Sequence, residues 1–431
     1  MKNKLSQEII KFIDKSPTAF HAVENIVEAL NKDSFSQYDE KDSWKLWKGM
    51  KGYVVRNDSS VIAFMVPRTE KIKGFKLYLA HSDSPSFKLK ENPETGTECG
   101  VCRLDTEKYG GMILSSWFDR PLSVAGRITY EENKKLVNKT VNIDRDLLII
   151  PNVAIHMNPE LNDGYKYKAQ SDLLPLFRLS NSKTGIMKLI SKESGIDEKK
   201  ILGSDLFLYT RQKGTFLGAD DEFVLAPRLD DLACVYTGLK AFLSIDSGDE
   251  KSTDSEYISV FGVFDNEEVG SGTAQGADST FLEDVLFRIA ESLSLSRTDY
   301  LRLIADSFAL SADNAHAVHP AMPSKADIIN KPVINGGVVL KFNAAMHYTT
   351  DGASAARVRS IAARAGVSLQ NFANNSDVRG GSTLGNISTA HASIPTADVG
   401  LAQYAMHSAC ETMGAGDADD LFKLVKTFFG E

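Results

Sequence analysis

The sequence predicts an α/β protein in which a β-rich segment interrupts a domain of mixed helices and strands. Three observations lead to this fold class. Apolar residues near the start recur at the spacing of an amphipathic helix. Short runs that favour strands dominate the middle of the chain, from about residue 92 to 218. From about residue 226 onward, long helical patterns alternate with strongly apolar strands, as they do in α/β sheets.

The first part of the chain combines helices with strands. Residues 1–31 carry an apolar stripe, and Ser16-Pro17-Thr18 interrupts it and offers an N-cap for a second helix. Three runs that favour strands follow at 53–55, 60–66 and 75–80.

The later parts of the chain differ in the kinds of element that the sequence predicts. The middle contains strand-like runs at 122–130, 141–143 and 147–150. Beyond it, Tyr257–Phe264 predicts a buried strand, 353–365 a helix, 397–401 a short strand and 417–429 a C-terminal helix. We therefore expect a discontinuous α/β domain, residues 1–91 and 219–431, and a β-rich insert, residues 92–218.

Composition narrows the range of partners. The chain has 431 residues and a formal net charge of −8 at pH 7, whereas proteins that grip nucleic acids are usually basic. No window reaches the ~18 apolar residues of a membrane span, and the first residues lack the apolar stretch of a signal peptide. Four cysteines are too few for a disulfide framework. We expect a cytoplasmic protein that binds neither nucleic acid nor membranes.

Five segments place histidine and acidic side chains at predicted junctions between strands and helices. They are His81-Ser82-Asp83, Asp230-Asp231, Asp265-Asn266-Glu267-Glu268, Asp313 with His316 and His319, and His407. Ligands of open α/β sheets collect outside the carboxyl ends of the strands, where we expect these segments to lie. Histidines and carboxylates without thiolates suit a divalent cation, most simply zinc. The excess of carboxylates indicates two ions that share a bridging carboxylate.

The acidic run after Tyr257–Phe264 is the strongest single signal. Three carboxylates in four residues at the end of an apolar strand are costly unless a cation compensates them. The adjacent Glu267 and Glu268 can point in different directions, one toward a metal and one toward a water. Asp83, two residues after His81, can accept the hydrogen bond that orients a metal-binding imidazole.

Each segment also has a structural interpretation. Asp230 and Asp231 would serve as N-caps of the following helix, and His407 would begin a helix. The glycine-rich run after the acidic segment has a spacing that differs from a dinucleotide fingerprint. Cys99 and Cys102 form a CxxC, but no second pair exists to complete a four-thiolate zinc site.

Six motifs occur in an order that is specific when they are taken together. They are Ser16-Pro17-Thr18-Ala19-Phe20-His21, His81-x-Asp83, Pro227-Arg228-Leu229-Asp230, Asp265-Asn266-Glu267-Glu268-Val269-Gly270-Ser271, Ser311-Ala312-Asp313-x-x-His316-x-x-His319-Pro320 and Ala405-Met406-His407-Ser408. With them the chain resembles, over nearly its whole length, the M18 metalloaminopeptidases, which include aspartyl aminopeptidase and vacuolar aminopeptidase I. The resemblance implies a hydrolase that cleaves the N-terminal peptide bond, with a split α/β/α zinc-peptidase domain and a β insert.

The resemblance also implies a site with two zinc ions, for which cobalt or manganese could substitute. The implied terminal ligands are His81, Glu268, Asp313 and His407, and the implied bridging carboxylate is Asp230. Glu267 is implied as the general base that activates a water between the metals, and Asp83 as the residue that orients His81.

Several further positions are implied to contact the substrate. His156, in the insert, matches a family histidine that reaches an active site across a subunit contact and has also been treated as a metal residue; we expect it to contact substrate in a neighbouring chain. The other pocket positions are His319, Lys341, Tyr348, Gly381, Ser382 and Thr383. Lys341 and Arg379 could supply positive charge, so we expect a preference for N-terminal Asp or Glu. The chain departs from the family pattern around 343–348 and 379–383, so a broad or neutral preference stays open.

Partners and rival functions follow from the same resemblance. We expect peptide substrates with a free N-terminus, and a homo-oligomer, a dodecamer built from dimers through the β insert. A related metal-dependent deacylase or amidohydrolase could use the same ligand set on a small amide. A non-catalytic scaffold is the other alternative, and an intact ligand set with Glu267 present argues against it.

Overall fold

The computed structural model describes residues 3–246, 255–378 and 380–431. Within these residues the strands are β1 (Ser36–Gln37), β2 (Lys51–Arg56), β3 (Ser60–Met65), β4 (Gly74–His81), β5 (Ser86–Glu94), β6 (Val101–Tyr109), β7 (Leu122–Glu132), β8 (Lys135–Asn142), β9 (Leu176–Leu179), β10 (Ile201–Thr210), β11 (Thr215–Leu217), β12 (Phe223–Ala226), β13 (Tyr257–Phe264), β14 (Phe308–Ala312), β15 (Ala315–His316), β16 (Val338–Phe342), β17 (Leu369–Ala373), β18 (Thr396–Gly400), β19 (Ala402–Tyr404) and β20 (Glu411–Gly414). The helices are α1 (Lys4–Lys15), α2 (Ala19–Lys32), α3 (Ala169–Asp172), α4 (Ile186–Ser194), α5 (Leu229–Leu243), α6 (Phe281–Ser292), α7 (Arg297–Ala305), α8 (Gly352–Ala365), α9 (Leu384–His391) and α10 (Asp417–Gly430).

The largest sheet runs in the order β1-β2-β3-β13-β4-β14-β18-β16-β17. Its centre is parallel, because β13 pairs with β4, β4 with β14, and β14 with β18 in the same direction. The flanking β3 and β16 are antiparallel to their neighbours β13 and β18. Parallel strands end at the same edge, so β13, β4, β14 and β18 all deliver the residues that follow them to one side of the molecule.

Helices cover both faces of this sheet. Alternate residues of β4 face opposite sides, so Tyr78 and Ala80 join one apolar cluster while Leu77 and Leu79 join another. The first cluster packs against α1, α2, α5, α8 and α10, and the second against α6, α7 and α9. The prediction of an α/β/α sandwich is confirmed.

The N-terminal helices form where the sequence predicts them. α1 buries an apolar stripe that includes Ile9 and Ile13, as the helical spacing requires. α2 begins directly after Thr18, the last residue of the interrupting segment. The three predicted strands that follow correspond to β2, β3 and β4.

A second sheet lies between β4 and β12 along the chain. Its strands run in the order β8-β7-β10-β5-β6-β9, and each pair is antiparallel. Its core includes Phe87, Leu206 and Ile190, the last of these from α4. The run at 147–150 makes isolated bridges rather than a strand, since Leu148 pairs with Leu122 outside any longer ladder.

A small third sheet combines β11 and β12, which follow the second sheet along the chain, with the later strands β15, β19 and β20. It runs in the order β11-β12-β20-β19-β15, with β19 and β20 forming an antiparallel pair. Of the helices in the described ranges, none has both the length and the apolar character that crossing a membrane requires.

Lys76 is a buried cation in the middle of β4, away from the carboxyl edge of the sheet. It is 1% exposed, and its Nζ donates no hydrogen bond to any described residue. Nζ lies 5.0 Å from the centre of the Tyr257 ring and 5.8 Å from that of Phe428. Burial lowers the pKa of Lys76 to about 8; Glu431 opposes this shift, while Arg357 and Arg364 add to it. The charge at this position therefore destabilises the folded chain.

We predict that Lys76→Met raises the free energy of unfolding at pH 7 by roughly 1–3 kcal/mol, less than the full pKa shift because the cation–π contacts are lost. Below pH 8 the lysine is protonated in both states, so the cost is fully present. Between pH 8 and about 10.5 the folded state releases its proton first. The advantage of the variant should therefore shrink as the pH rises through this window.

Urea unfolding of both proteins at pH 7, 8, 9 and 10 measures this effect. Lys423→Met, which changes a half-exposed lysine on α10, is the matched control and should show no such trend. A destabilised Lys76→Met, or a gain that does not decline with pH, would contradict the account.

Candidate metal centre

Adjacent strands bring candidate ligands to the carboxyl edge of the large sheet. His81 is the last residue of β4, and Asp313 directly follows β14. Glu267 and Glu268 come after β13, separated from it by two residues. The chain that leaves β18 leads to His407. Because these strands are neighbours in the sheet, side chains that are distant in sequence converge here.

Asp230 reaches the same edge from the first turn of α5. The backbone there is irregular: Arg228 is left-handed with φ 57°, and Asp230 has φ −81° and ψ 109°, outside the helical region. The peptide bond between Asp230 and Asp231 is cis. The interpretation of these aspartates as N-caps is wrong, because the cap position is Arg228 and no side chain caps the helix. Both carboxylates are buried instead.

The two carboxylate oxygens of Asp230 face two different histidines. Oδ1 lies 3.4 Å from Nε2 of His81, and Oδ2 lies 3.5 Å from Nε2 of His407. Nε2 of His407 also lies 3.3 Å from Oε1 of Glu268. A single buried carboxylate, 3% exposed, therefore separates two clusters of possible ligands.

The possible ligand atoms fall into three groups, within each of which all atoms lie within 4.8 Å of one another. The groups are His81 with Asp230, Asp231 and Asp313; Asp230 with Glu268 and His407; and His81 with Glu267 and Glu268. Asp230 belongs to the first two groups and so is the member that they share. All five residues predicted as metal ligands occur in these groups, and Asp231 joins them.

The charges at this edge need compensation. Burial and the nearby Asp230 raise the pKa of Glu268 to about 7, against the opposing contact with His407. Burial and Asp230 likewise raise the pKa of Glu411 to about 8. Burial favours the neutral ring of His407, yet its contacts with Asp230 and Glu268 raise its pKa to about 11. The cluster thus demands positive charge, supplied either by protons on these side chains or by bound cations.

The side chains present fit a divalent metal. Oδ1 of Asp230 and Oε1 of Glu268 are buried and accept no hydrogen bond from the described residues. Buried carboxylate oxygens that accept no hydrogen bond are costly, and a bound cation would take up their lone pairs. Imidazole nitrogens combined with carboxylate oxygens are a donor set that zinc accepts.

Asp83 ties His81 to the acidic segment. Its Oδ1 accepts the backbone N–H of Glu267 and its Oδ2 that of Glu268, both at 3.1 Å. Nδ1 of His81 lies 3.4 Å from Oδ1 of Asp83 and 3.1 Å from its carbonyl oxygen. The hydroxyl of Tyr109 donates to Oδ2 at 2.7 Å. Tyr109 ends β6 in the second sheet, and no pattern in the sequence links it to Asp83.

The prediction that His407 begins a helix is wrong. His407 lies in the turn between β19 and β20, with a left-handed φ of 67°. Gln403 pairs with Met413 and Tyr404 with Thr412, so the chain turns back on itself as a β-hairpin. The hairpin, rather than a helix start, carries the imidazole to Asp230.

Only the aspartate of the Asp313–His316–His319 motif joins the candidate centre. The side chains of His316 and His319 are exposed and belong to none of the ligand groups. The His316 ring lies beside Phe372, with 6.2 Å between centroids, and the His319 ring lies 5.6 Å from that of Tyr404. The interpretation of both histidines as metal ligands receives no support, and the role of His319 in substrate binding stays a prediction.

Lys341 is buried in the wall of the centre, with 2% of its surface exposed. Its Nζ lies 3.3 Å from Oδ1 of Asp313 and 5.4 Å from the centre of the Tyr348 ring. Burial disfavours the charged form, but Asp313 and the other acidic neighbours raise the pKa of Lys341 above its usual range. Lys341 is therefore an interior lysine beside Asp313 rather than a surface residue.

Asp398 joins two of the loops that carry predicted pocket residues. Its Oδ2 accepts hydrogen bonds from the backbone N–H and the hydroxyl of Thr349, both at 2.6 Å. Its Oδ1 accepts from the hydroxyl of Thr383, also at 2.6 Å. Asp398 is fully buried within β18, and no pattern in the sequence distinguishes it from an ordinary residue of a strand.

The remaining predicted substrate contacts lie outside the cluster or outside the described residues. Gly381 and Ser382 are exposed just before α9, and Arg379 lies outside the described residues. His156 is exposed on a loop of the insert and forms no hydrogen bond or ion pair with residues 3–246, 255–378 or 380–431. Among the described residues, His156 therefore belongs to none of the groups of possible ligand atoms.

The fold and this site together define a class of protein. A buried cluster of imidazoles and carboxylates lies at the carboxyl edge of an α/β sheet, and Glu267 lies beside it without being needed to complete either of the groups that share Asp230. That arrangement is typical of metal-dependent hydrolases, which need ligands and a separate general base.

Comparisons with known proteins identify the family. Residues 12–429 match the family model described as aminopeptidase I zinc metalloprotease (M18). A probable M18 family aminopeptidase 2 of Clostridium novyi (strain NT) is 44% identical over 438 residues, which cover 100% of both chains. Ape4, solved by cryo-electron microscopy in complex with Nbr1, is 34% identical with a TM-score of 0.95, over 99% of this chain and 85% of that chain.

A structure of the S. cerevisiae mApe1 dodecamer is 28% identical with a TM-score of 0.87, over 99% of this chain and 96% of that chain. The chain therefore belongs to the M18 family of zinc metallopeptidases, a family of hydrolases whose curated members are named aminopeptidases.

Proposed function

We propose that this protein is an aminopeptidase that uses two zinc ions per chain to hydrolyse the N-terminal peptide bond of peptides. The observation that carries the proposal is the position of Asp230, whose two oxygens face His81 and His407. His81, Asp230 and Asp313 would hold one ion, and Asp230, Glu268 and His407 the other. Cobalt or manganese would fit the same donor set.

Bound zinc would polarise the scissile carbonyl and make an attacking water acidic enough to lose its proton near neutral pH. Glu267 is the proposed acceptor of that proton, and it then delivers the proton to the leaving amine. The backbone N–H of Glu267 donates to Asp83, and this hydrogen bond holds the acidic segment 265–268 at Glu267. Asp83 also orients His81, so it is a positioning residue rather than a ligand.

We predict that Glu267→Gln keeps both zinc ions but loses activity by on the order of 10³-fold or more, about 4 kcal/mol of transition-state stabilisation. The substitution preserves the shape of the side chain while it removes the proton acceptor. Zinc content by elemental analysis and kcat on an aminoacyl substrate measure the two effects separately. Glu268→Gln is the control, and it should lose zinc together with activity.

A near wild-type kcat for Glu267→Gln would contradict the assigned role. Loss of zinc from that variant would show that Glu267 is a ligand rather than the base.

The proposed preference is for an acidic first residue. Lys341 supports it as a buried cation next to Asp313 and Tyr348. Lys341 also pairs with Asp313, and this ion pair already neutralises part of the lysine's charge. A broad or neutral preference for the first residue of the peptide is therefore the specific alternative.

We predict that kcat/KM for Asp- or Glu-naphthylamide exceeds that for Leu- or Met-naphthylamide by about tenfold or more, which corresponds to about 1.4 kcal/mol. A buried cation favours a carboxylate over an apolar side chain of similar size. An N-acetylated Asp substrate should not be hydrolysed, and its turnover would favour the deacylase alternative. Faster cleavage of the Leu or Met substrate would contradict the acidic preference.

We also propose that the chain forms a homo-oligomer, a dodecamer built from dimers through the insert. The loop that carries His156 exposes Val153, Ile155 and Met157, with 51%, 44% and 79% of their surfaces accessible. Such an apolar patch is typical of an interface. His156 would then contact substrate at the centre of a neighbouring chain. The S. cerevisiae mApe1 structure is a dodecamer.

We predict from this patch that light scattering of the purified protein gives the mass of twelve chains, and that Met157→Glu reduces that mass. Leu136→Glu, at a similarly exposed position on β8, is a control for surface charge. The mass of a single chain for the unmodified protein would contradict the proposed assembly.

Two further expectations belong to the same proposal. The division into residues 1–91 with 219–431 and residues 92–218 is supported by the second sheet, most of which lies within 92–218. The sheets do not follow these bounds throughout, because β5 of the second sheet begins at Ser86 and β11 pairs with β12 in the third sheet. A cytoplasmic location stays a prediction from the composition of the chain.

A further inference from the structure

Glu411 is a buried carboxylate beside the candidate metal centre, but it belongs to none of the ligand groups. It is the first residue of β20 and is 2% exposed. Its Oε2 accepts the backbone N–H of Asp230 at 2.9 Å. Its Oε1 accepts the backbone N–H of His407 at 2.7 Å. One carboxylate therefore holds the backbone of two candidate ligands that come from different parts of the chain.

A third candidate ligand is linked to the same carboxylate through two amide side chains. Nε2 of Gln403 donates to Oε1 of Glu411 at 3.4 Å. Nδ2 of Asn314 donates to Oε1 of Gln403 at 2.9 Å and to the carbonyl oxygen of Leu229 at 2.8 Å. Asn314 directly follows Asp313. The segments that carry Asp313, Asp230 and His407 thus converge on Glu411.

The backbone at two of these positions needs such an anchor. His407 has φ 67°, a left-handed conformation that residues other than glycine rarely adopt. Asp230 departs from helical angles within the first turn of α5. Each oxygen of the Glu411 side chain accepts one of these backbone N–H groups, so Glu411 can stabilise both conformations at once.

We propose that Glu411 is a positioning residue that sets the spacing of the two metal-binding groups by anchoring Asp230 and His407 to one carboxylate. The inference rests on the proposed function, because it takes these two residues as metal ligands. Groups that orient ligands typically change metal affinity by 10- to 100-fold when they are removed.

The numbers of hydrogen-bond acceptors on the two side chains explain why glutamine cannot replace Glu411. Both carboxylate oxygens accept from backbone N–H donors. In Glu411→Gln one oxygen becomes an NH₂ group, which cannot accept a hydrogen bond and would face an N–H donor. The variant keeps the size of the side chain but loses one of the two anchors.

Asp417 provides a matched control in the same part of the fold. It is a buried carboxylate, 1% exposed, at the start of α10. Its Oδ2 accepts the backbone N–H of Asn335 at 2.7 Å and its Oδ1 that of Gly337 at 2.9 Å. Asp417→Asn therefore removes one of an equivalent pair of anchors, neither of which holds a candidate ligand.

The experiment measures zinc affinity for the wild type, Glu411→Gln and Asp417→Asn. Each full-length protein is stripped of metal, dialysed against chelator-buffered zinc and analysed for bound metal, and its metal-free stability is measured in urea. We expect two zinc ions in the wild type, a 10- to 100-fold weaker affinity in Glu411→Gln, and wild-type affinity in Asp417→Asn. Both variants should lose stability without metal, so only the zinc readout separates positioning from a structural role.

The outcomes distinguish the two proposals. A wild type that binds no zinc would overturn the proposed function itself. A wild type that binds two ions, together with an unchanged zinc affinity in Glu411→Gln, would overturn the positioning role, as would an equal loss of affinity in Asp417→Asn. If Glu411→Gln does not fold, Gln403→Met removes the link to Asn314 and should weaken zinc binding to a smaller extent, and unchanged affinity there would overturn the role.

Discussion

Compensation of negative charge at the carboxyl edge of the large sheet is the constraint on which the site depends. Asp230, Asp313 and Glu268 approach one another in a buried place where ionised carboxylates repel and lose hydration. The chain offers limited relief of its own: Lys341 pairs with Asp313, and the two histidines contact Asp230. Ionised carboxylates at this edge therefore need further positive charge, which bound cations would supply.

The order of strands in the large sheet brings these acidic side chains together, and buried hydrogen-bond acceptors hold the segments around them in place. Four neighbouring parallel strands end together, so short segments after each strand can converge without long loops. Asp83, Glu411 and Asp398 then fix the segments by accepting backbone or hydroxyl hydrogen bonds. The second sheet takes part through Tyr109, whose hydroxyl reaches Asp83. The segments around the candidate centre are therefore held by buried acceptors that come from different parts of the fold.

The sequence predicts the candidate ligands better than it predicts the buried residues that hold them in place. His81, Glu267, Glu268 and Asp313 follow apolar strands, and this adjacency is visible in the chain. His407 was expected at a helix start because a local pattern does not reveal the pairing of β19 with β20. Asp230 has the local signature of an N-cap, and only its distance to two histidines distinguishes it from one.

The supporting residues could not be found in the same way. Tyr109 and Glu411 act across 26 and 181 positions of sequence, and their contacts depend on how the sheets pack. The burial of Lys341 likewise depends on β16 lying next to β18. The role proposed for His156 depends on contact with a neighbouring chain, so no local pattern around it in the sequence predicts that role.

Anomalous diffraction at the zinc edge, from crystals of the protein grown with zinc, tests the central claim most directly. The account predicts two peaks per chain with the carboxylate of Asp230 between them, one beside His81 and Asp313 and the other beside Glu268 and His407. A single peak, or two peaks that do not share Asp230, would contradict it.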